Sequence, residues 1–175
     1  MFANVHVGGI LRADGPEGRW EPTIDVDADV HQVLADPDRS GHVVAATALG
    51  LAESVDAAGT WRFTTDGLHA PYARAVALDR EVVFMSASTG PRGGRAALYR
   101  CAPGEDTFHK VTDGLPEWFD RNIDSHHLAA SAGLVVFGGD DRLFVSEDRG
   151  ASWHDGGTAY PEITCVAIAS GTGEP

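Results

Sequence analysis

Four stretches of this 175-residue chain carry side chains of the types and spacings that chemistry requires. The longest is Pro116-Glu117-Trp118-Phe119-Asp120-Arg121-Asn122-Ile123-Asp124-Ser125. Its carboxylates, Glu117, Asp120 and Asp124, are candidates for acid, base or nucleophile work, which needs carboxyl pairs at a set separation. Trp118, Arg121 and Asn122 are candidates for holding a sugar or other small ligand, because an aromatic face covers apolar patches while polar groups fix orientation. The alternative for the same loop is a plug that folds its own aromatics inward. A second set is His31, Arg74 and His126, with Tyr72 as a further ligand-binding candidate. Converging histidines suit a transition metal only when about three ligands meet, and a ring containing Arg74 equally suits an anion or ordinary satisfied histidines. A third stretch, Asp25-Val26-Asp27-Ala28-Asp29, puts three carboxylates on one side if extended, which calls for a hard cation or open solvent. Position six of that would-be calcium loop is Val30 rather than Gly, so a solvated loop is expected and no metal. The fourth, Ser88-Thr89-Gly90-Pro91-Arg92-Gly93-Gly94-Arg95, is basic and Gly-rich, yet no Lys-Ser/Thr or helix follows it, and it reads as a solvated hairpin tip.

These residues are held by a repeat. Ser146-Glu147-Asp148-Arg149-Gly150-Ala151-Ser152-Trp153 is a compact turn in which the Asp accepts backbone N–H groups, the Gly takes positive φ and the Trp packs beneath. Ser54-Val55-Asp56-Ala57-Ala58-Gly59-Thr60-Trp61 keeps the Ser, Asp, Thr and Trp but moves the Gly by one. Worn copies end at Trp20 and Phe108, so the aromatic anchors are spaced by 41, 47 and 45 residues. A period of about 40 to 50 residues with short strands between turns is the mark of propeller blades. Aligned on the anchors, Val33, Val76, Leu128 and Val166 are equivalent first-strand positions, which sets His31, Arg74, His126 and Thr164 around one mouth. The loops 24–30, 66–73 and 113–125 arrive on that face. Two of them begin alike, Thr65-Asp66-Gly67-Leu68 and Thr112-Asp113-Gly114-Leu115. The expected fold is all-β, a single propeller domain over 1–175 with about four four-stranded antiparallel blades. The start reads as a blade lacking its first strand, and 163–168 as a first strand with no blade after it. Pairing those ends would hide two sheet edges. The other arrangement, which we favour from the sequence, is a ring of six to eight blades completed by a second copy or a missing N-terminal half.

The turn pattern resembles the Asp-box, or BNR-repeat, β-propellers, which include sialidases and many sialidase-like proteins. The resemblance covers essentially the whole chain and is specific for fold rather than function. It implies a structural role for Ser54, Asp56, Gly59, Thr60 and Trp61 and for Ser146, Asp148, Gly150, Ser152 and Trp153. A sialidase-like glycosidase would need an arginine cluster, a Tyr–Glu nucleophile pair and an acid/base Asp. Arg74, Arg121 and Tyr72 supply fragments of this, with Glu117, Asp120 or Asp124 as carboxylates, but no third Arg and no Tyr–Glu arrangement can be placed. The expected function is a non-catalytic scaffold binding a ligand or protein through the blade-to-blade loop face. The alternative is an exo-sialidase-like glycoside hydrolase using the 117–124 carboxylates.

A net charge of −13 argues against nucleic acid or an anionic membrane as partner, leaving a small molecule, a carbohydrate or a protein. Cys101 and Cys165 fall in different repeats and read as free thiols. No leader-like N-terminus and no run of 18 apolar residues is seen, so a soluble, cytoplasmic chain without cofactor is expected.

Overall fold

The computed structural model describes residues 1–5 and 9–169. Among these residues fifteen strands form four antiparallel sheets. The first has three strands, β1 (Phe2–Val5), β2 (Gly9–Arg12) and β3 (Glu21–Pro22). The second has four, β4 (Val30–Ala35), β5 (Val43–Thr47), β6 (Gly50–Ser54) and β7 (Arg62–Thr64). The third follows with β8 (Val76–Asp79), β9 (Val82–Ala87), β10 (Ala97–Cys101) and β11 (His109–Lys110). The fourth holds β12 (Leu128–Ser131), β13 (Leu134–Gly139), β14 (Arg142–Ser146) and β15 (His154–Ala159). Strands follow chain order within every sheet, and β4, β8 and β12 lie next to one another, with β1 against β4.

The sheets stack through apolar layers that strand alternation dictates, since neighbouring side chains leave opposite faces. In β9, Val83 and Met85 pack toward the second sheet with Val44, Ala46 and Leu51. Val82 and Phe84 face the fourth sheet, where Phe137, Phe144 and Trp153 stack in a common cluster. All six residues of β9 are therefore buried.

The two well-kept turns are built as their residues require. Asp148 accepts from the backbone N–H groups of Ala151 and Ser152 and from the Ser152 hydroxyl, while Ser146 Oγ accepts from Gly150 N–H. Trp153 is 6% exposed and donates to the Gly150 carbonyl at 3.2 Å. In the earlier copy Asp56 accepts from Thr60 in the same way. Gly59 is not the residue that takes the left-handed turn, however. Ala57 and Ala58 do so, at φ 58° and 67°, matching Arg149 and Gly150 at 57° and 76°. The shifted glycine leaves alanine in a conformation that suits glycine, and the Trp61 indole N–H is buried without an acceptor. The worn copies differ from each other, for Phe108 is buried whereas Trp20 is 42% exposed.

The repeated Thr-Asp-Gly-Leu turns reach across to the next sheet. A Cβ on Gly67 would overlap the Phe108 carbonyl oxygen, and one on Gly114 the Trp153 carbonyl oxygen. Each turn thus lies against the aromatic anchor of the sheet that follows, and Phe108 N–H donates to the Asp66 carbonyl at 2.9 Å.

Among the described residues the first sheet has three strands, with the turn ending at Trp20 between its last two, so the first strand is lacking, as the sequence implies. The stretch 163–168 does not supply it. It forms no ladder, and it runs beside the fourth sheet, with Val166 N–H donating to the His126 carbonyl and Ile163 over Gly138. Cys101 is half-buried, Cys165 is exposed, and both are free. No helix among the described residues is long and apolar enough to cross a membrane.

Candidate functional site

Where the inner strands begin, side chains from three sheets join in one hydrogen-bonded chain. His31 Nδ1 lies 2.7 Å from the Ala73 carbonyl, which can only accept, so Nδ1 carries the proton and Nε2 accepts. The Tyr72 hydroxyl donates to that Nε2 at 3.1 Å, and Arg74 Nη2 donates to the Tyr72 oxygen at 3.3 Å. Arg74 Nη1 donates to Asp124 in an ion pair. The Ser125 hydroxyl, within 3.0 Å of the His31 carbonyl and 2.9 Å of the Arg74 carbonyl, ties the same three sheets together. Burial pushes the His31 pKa down, which agrees with a neutral ring. Asp29 stands 3.6 Å from Nε2, ready to pair with it on protonation. Arg74 Nε is buried and has no hydrogen-bond partner, a cost met by the two bonds of its other nitrogens.

Of the sequence candidates, His31, Tyr72, Arg74 and Asp124 meet here and the others do not. His126 sits in a turn at φ 69°, exposed, because β12 begins only at Leu128. Its expected place in the ring is taken by Asp124 and Ser125. Asn122 uses its amide to hold the carbonyls of Gly90 and Pro91, pinning the 88–95 loop, and Arg121 turns to Asp140, with Nε 3.8 Å from Oδ1. The stretch 25–29 is not extended. Val26–Ala28 is a short 3-10 turn capped by Asp25, whose carboxylate accepts from Asp27 N–H, so the three carboxylates do not share a side. Among the described residues no group of three or more His, Cys, Asp or Glu is placed to hold a metal ion.

Trp118 and Phe119 part company. Phe119 pairs with Ala96 in an isolated bridge and packs edge-on against Phe137 and Phe144. Trp118 points the other way, where Lys110 Nζ lies 3.3 Å and Arg95 Cζ 4.3 Å from its ring centre, with the His69 ring at 4.7 Å. Its indole N–H donates to Glu117 at 3.1 Å. The ring is a cation-bearing platform rather than a bare stacking face. Lys110 and His69 are both held below their usual pKa by burial. Sequence reasoning missed His69, Lys110 and Ser125 as participants, and also a cleft of about 90 Å³ among Asp124, His127, Asp140 and Glu162, while Asp29, a candidate for a cation, instead stands beside His31. Each is brought in by packing between sheets and leaves no local motif.

No protein-family model matches the chain, and no curated protein sequence does. Solved structures do match it. An ancestral GH74 enzyme superposes with a TM-score of 0.70 at 15% identity, over 92% of this chain and 22% of its own. The sheets are propeller blades. The GH74 xyloglucanase from Xanthomonas campestris follows at 0.55 and 26% identity, over 71% of this chain and 20% of its own. YCF48 from Cyanidioschyzon merolae superposes at 0.52 and 12% identity, over 72% of this chain and 36% of its own. The propeller described here thus spans between about a fifth and about a third of the length of these proteins.

Proposed function

We propose that this propeller is a binding scaffold, sialidase-like in its Asp-box turns, whose blade-to-blade loop face holds an acidic protein segment or a small carboxylate ligand. The observation that carries the reading is the state of the 117–124 carboxylates. Asp124 is paired with Arg74, Glu117 accepts from the Trp118 indole, and Asp120 is exposed, so the three are spread over different partners rather than facing one another as a carboxyl pair. The same face offers Arg95 and Lys110 on the Trp118 platform, a positive spot on a chain of net charge −13. A solved complex of YCF48 with a D1 peptide, matching at a TM-score of 0.50, gives a propeller of like fold that takes a peptide.

The test is titration with short acidic peptides at low and high salt, followed by calorimetry. Saturable, salt-sensitive binding that Lys110→Ala with Arg95→Ala weakens supports the reading, and unchanged binding in that variant removes it. The second reading, a glycoside hydrolase, draws on the GH74 likeness and on the cleft where Asp124, Asp140 and Glu162 converge. Turnover of xyloglucan or sialyl oligosaccharides, abolished by Asp124→Asn, would establish it over the first. A second copy seated against the open edge of β1 would complete a larger ring, and light scattering of the purified chain reads this directly as a doubled mass.

A further inference from the structure

The face opposite the mouth, where the Asp-anchored turns lie, repeats a lock between blades. Eight residues before the aromatic anchor, blades 1 and 3 carry Arg12 and Arg100. Arg12 Nη1 donates to the Ala57 carbonyl at 2.9 Å, and Arg100 Nε donates to the Arg149 carbonyl at 3.0 Å. Ala57 and Arg149 are the same position, four residues before the anchor of the next blade, and both are left-handed. A guanidinium from one blade therefore seats on a turned-out carbonyl of the next, at the seam between blades 1 and 2 and again between blades 3 and 4.

The seam between blades 2 and 3 keeps the socket and lacks the key. Gly104, four residues before Phe108, is likewise left-handed at φ 79°, although the residue after it is not. The residue eight before Trp61 is Glu53, too short and of the wrong charge to serve that carbonyl. Glu53 turns instead to His42 Nε2 at 2.9 Å, and Asp36 holds His42 Nδ1 at 2.7 Å, so the acid is anchored at the edge of the seam. A cavity of about 300 Å³ remains, lined by Glu53, Glu81, Gly104, Glu105 and Asp106 among others. These four acids outnumber the two arginines of the lining, Arg39 and Arg62, and Arg62 leans toward Asp106 at 3.9 Å.

We propose that this cavity is a binding site for a guanidinium group, whether of a small free molecule or of an arginine side chain in a peptide, seated between Glu53 and the Gly104 carbonyl. The two neighbouring seams show the geometry already occupied by guanidinium. The planar fork of that group gives parallel donors to a carboxylate and a carbonyl, which a single ammonium point charge does not reproduce. The site is independent of the loop face on the other side of the blades.

The test uses the whole chain and three probes, methylguanidinium, a capped Gly-Arg-Gly peptide and its lysine counterpart, followed by amide NMR and calorimetry. Expected are saturable shifts at Glu53, Cys101 and Gly104 with a guanidinium probe, and affinity about tenfold weaker for the lysine peptide. Binding of methylguanidinium alone points to a small molecule, and binding of the arginine peptide alone points to a protein segment. Glu53→Gln weakens binding about tenfold, and Glu53→Arg abolishes it by filling the socket from within, as blades 1 and 3 do. No saturable shift with either guanidinium probe, equal affinity for lysine, or unchanged binding in Glu53→Gln overturns the proposal, and the Gln variant decides it should the Arg variant fail to fold.

Discussion

The carboxylate of Asp56 accepts from the Thr60 backbone N–H and hydroxyl and from Ser54, and those bonds hold its pKa down to about 2. Asp148 is displaced further in the same direction by Ser152 and Ser146. An unfolded aspartate titrates near 3.9, so the stabilisation from these turns is complete above about pH 4 and is lost as the pH falls toward 2. Melting temperature measured against pH should drop steeply over that window, and Asp56→Asn should make the drop shallower while lowering the plateau. The residue two after that Asp gives a second expectation. At Gly150 a Cβ would meet the Phe84 ring at positive φ, so Gly150→Ala should cost about 2–4 kcal/mol. Its counterpart Ala58 already carries the left-handed strain of about 1–2 kcal/mol. Relieving it with Ala58→Gly also loses about 0.8 kcal/mol of buried methyl and frees the unfolded chain. The two effects nearly cancel, and urea unfolding should find that variant within about 0.5 kcal/mol of the parent.

Between blades, the Thr-Asp-Gly-Leu turns carry the next expectation. Gly67→Ala and Gly114→Ala each drive a methyl into the carbonyl of the following anchor, so each should destabilise by about 2–4 kcal/mol, whereas Gly104→Ala, with open space around it, should cost about 1 kcal/mol from φ alone. Denaturant midpoints of the three variants check this. The sequence shows both turns as a repeated phrase, but their grip on the next blade joins residues about 40 positions apart and leaves no local trace. The Asp-anchored turns were legible because the partners of their aspartates lie within a few residues, as Asp148 and Ser152 do. The 116–125 loop was half legible. Its aromatics alternate as neighbours in extended chain must, so Phe119 is the plug and Trp118 the platform, but nothing local foretold that Lys110 and Arg95 would cover the ring. The stretch 25–29 misled because a capped 3-10 turn, not an extended strand, arranges its acids.

At the scale of the whole molecule, the anchor period pointed to four blades, and counting strands against turns pointed to the missing first strand of blade 1. The path of 163–168 was not legible, because its docking rests on Ile163 over Gly138 and on the His126 carbonyl, contacts that alternation does not encode. Among the described residues β1 pairs on one side only, with β2, so its outward amides should exchange with solvent far faster than those of β5, which is paired on both sides. Hydrogen exchange read by mass spectrometry separates the two peptides. The turn that closes one blade and rests on the anchor of the next also has a consequence in time. Gly67 finds Phe108, and Gly114 finds Trp153, only after about 40 further residues have been added. At roughly 5–20 residues per second on a ribosome, that is a wait of about 2–8 s. Blades 2 and 3 are each left ajar through synthesis until the next blade emerges, so the blades are latched in one direction, from the second toward the last.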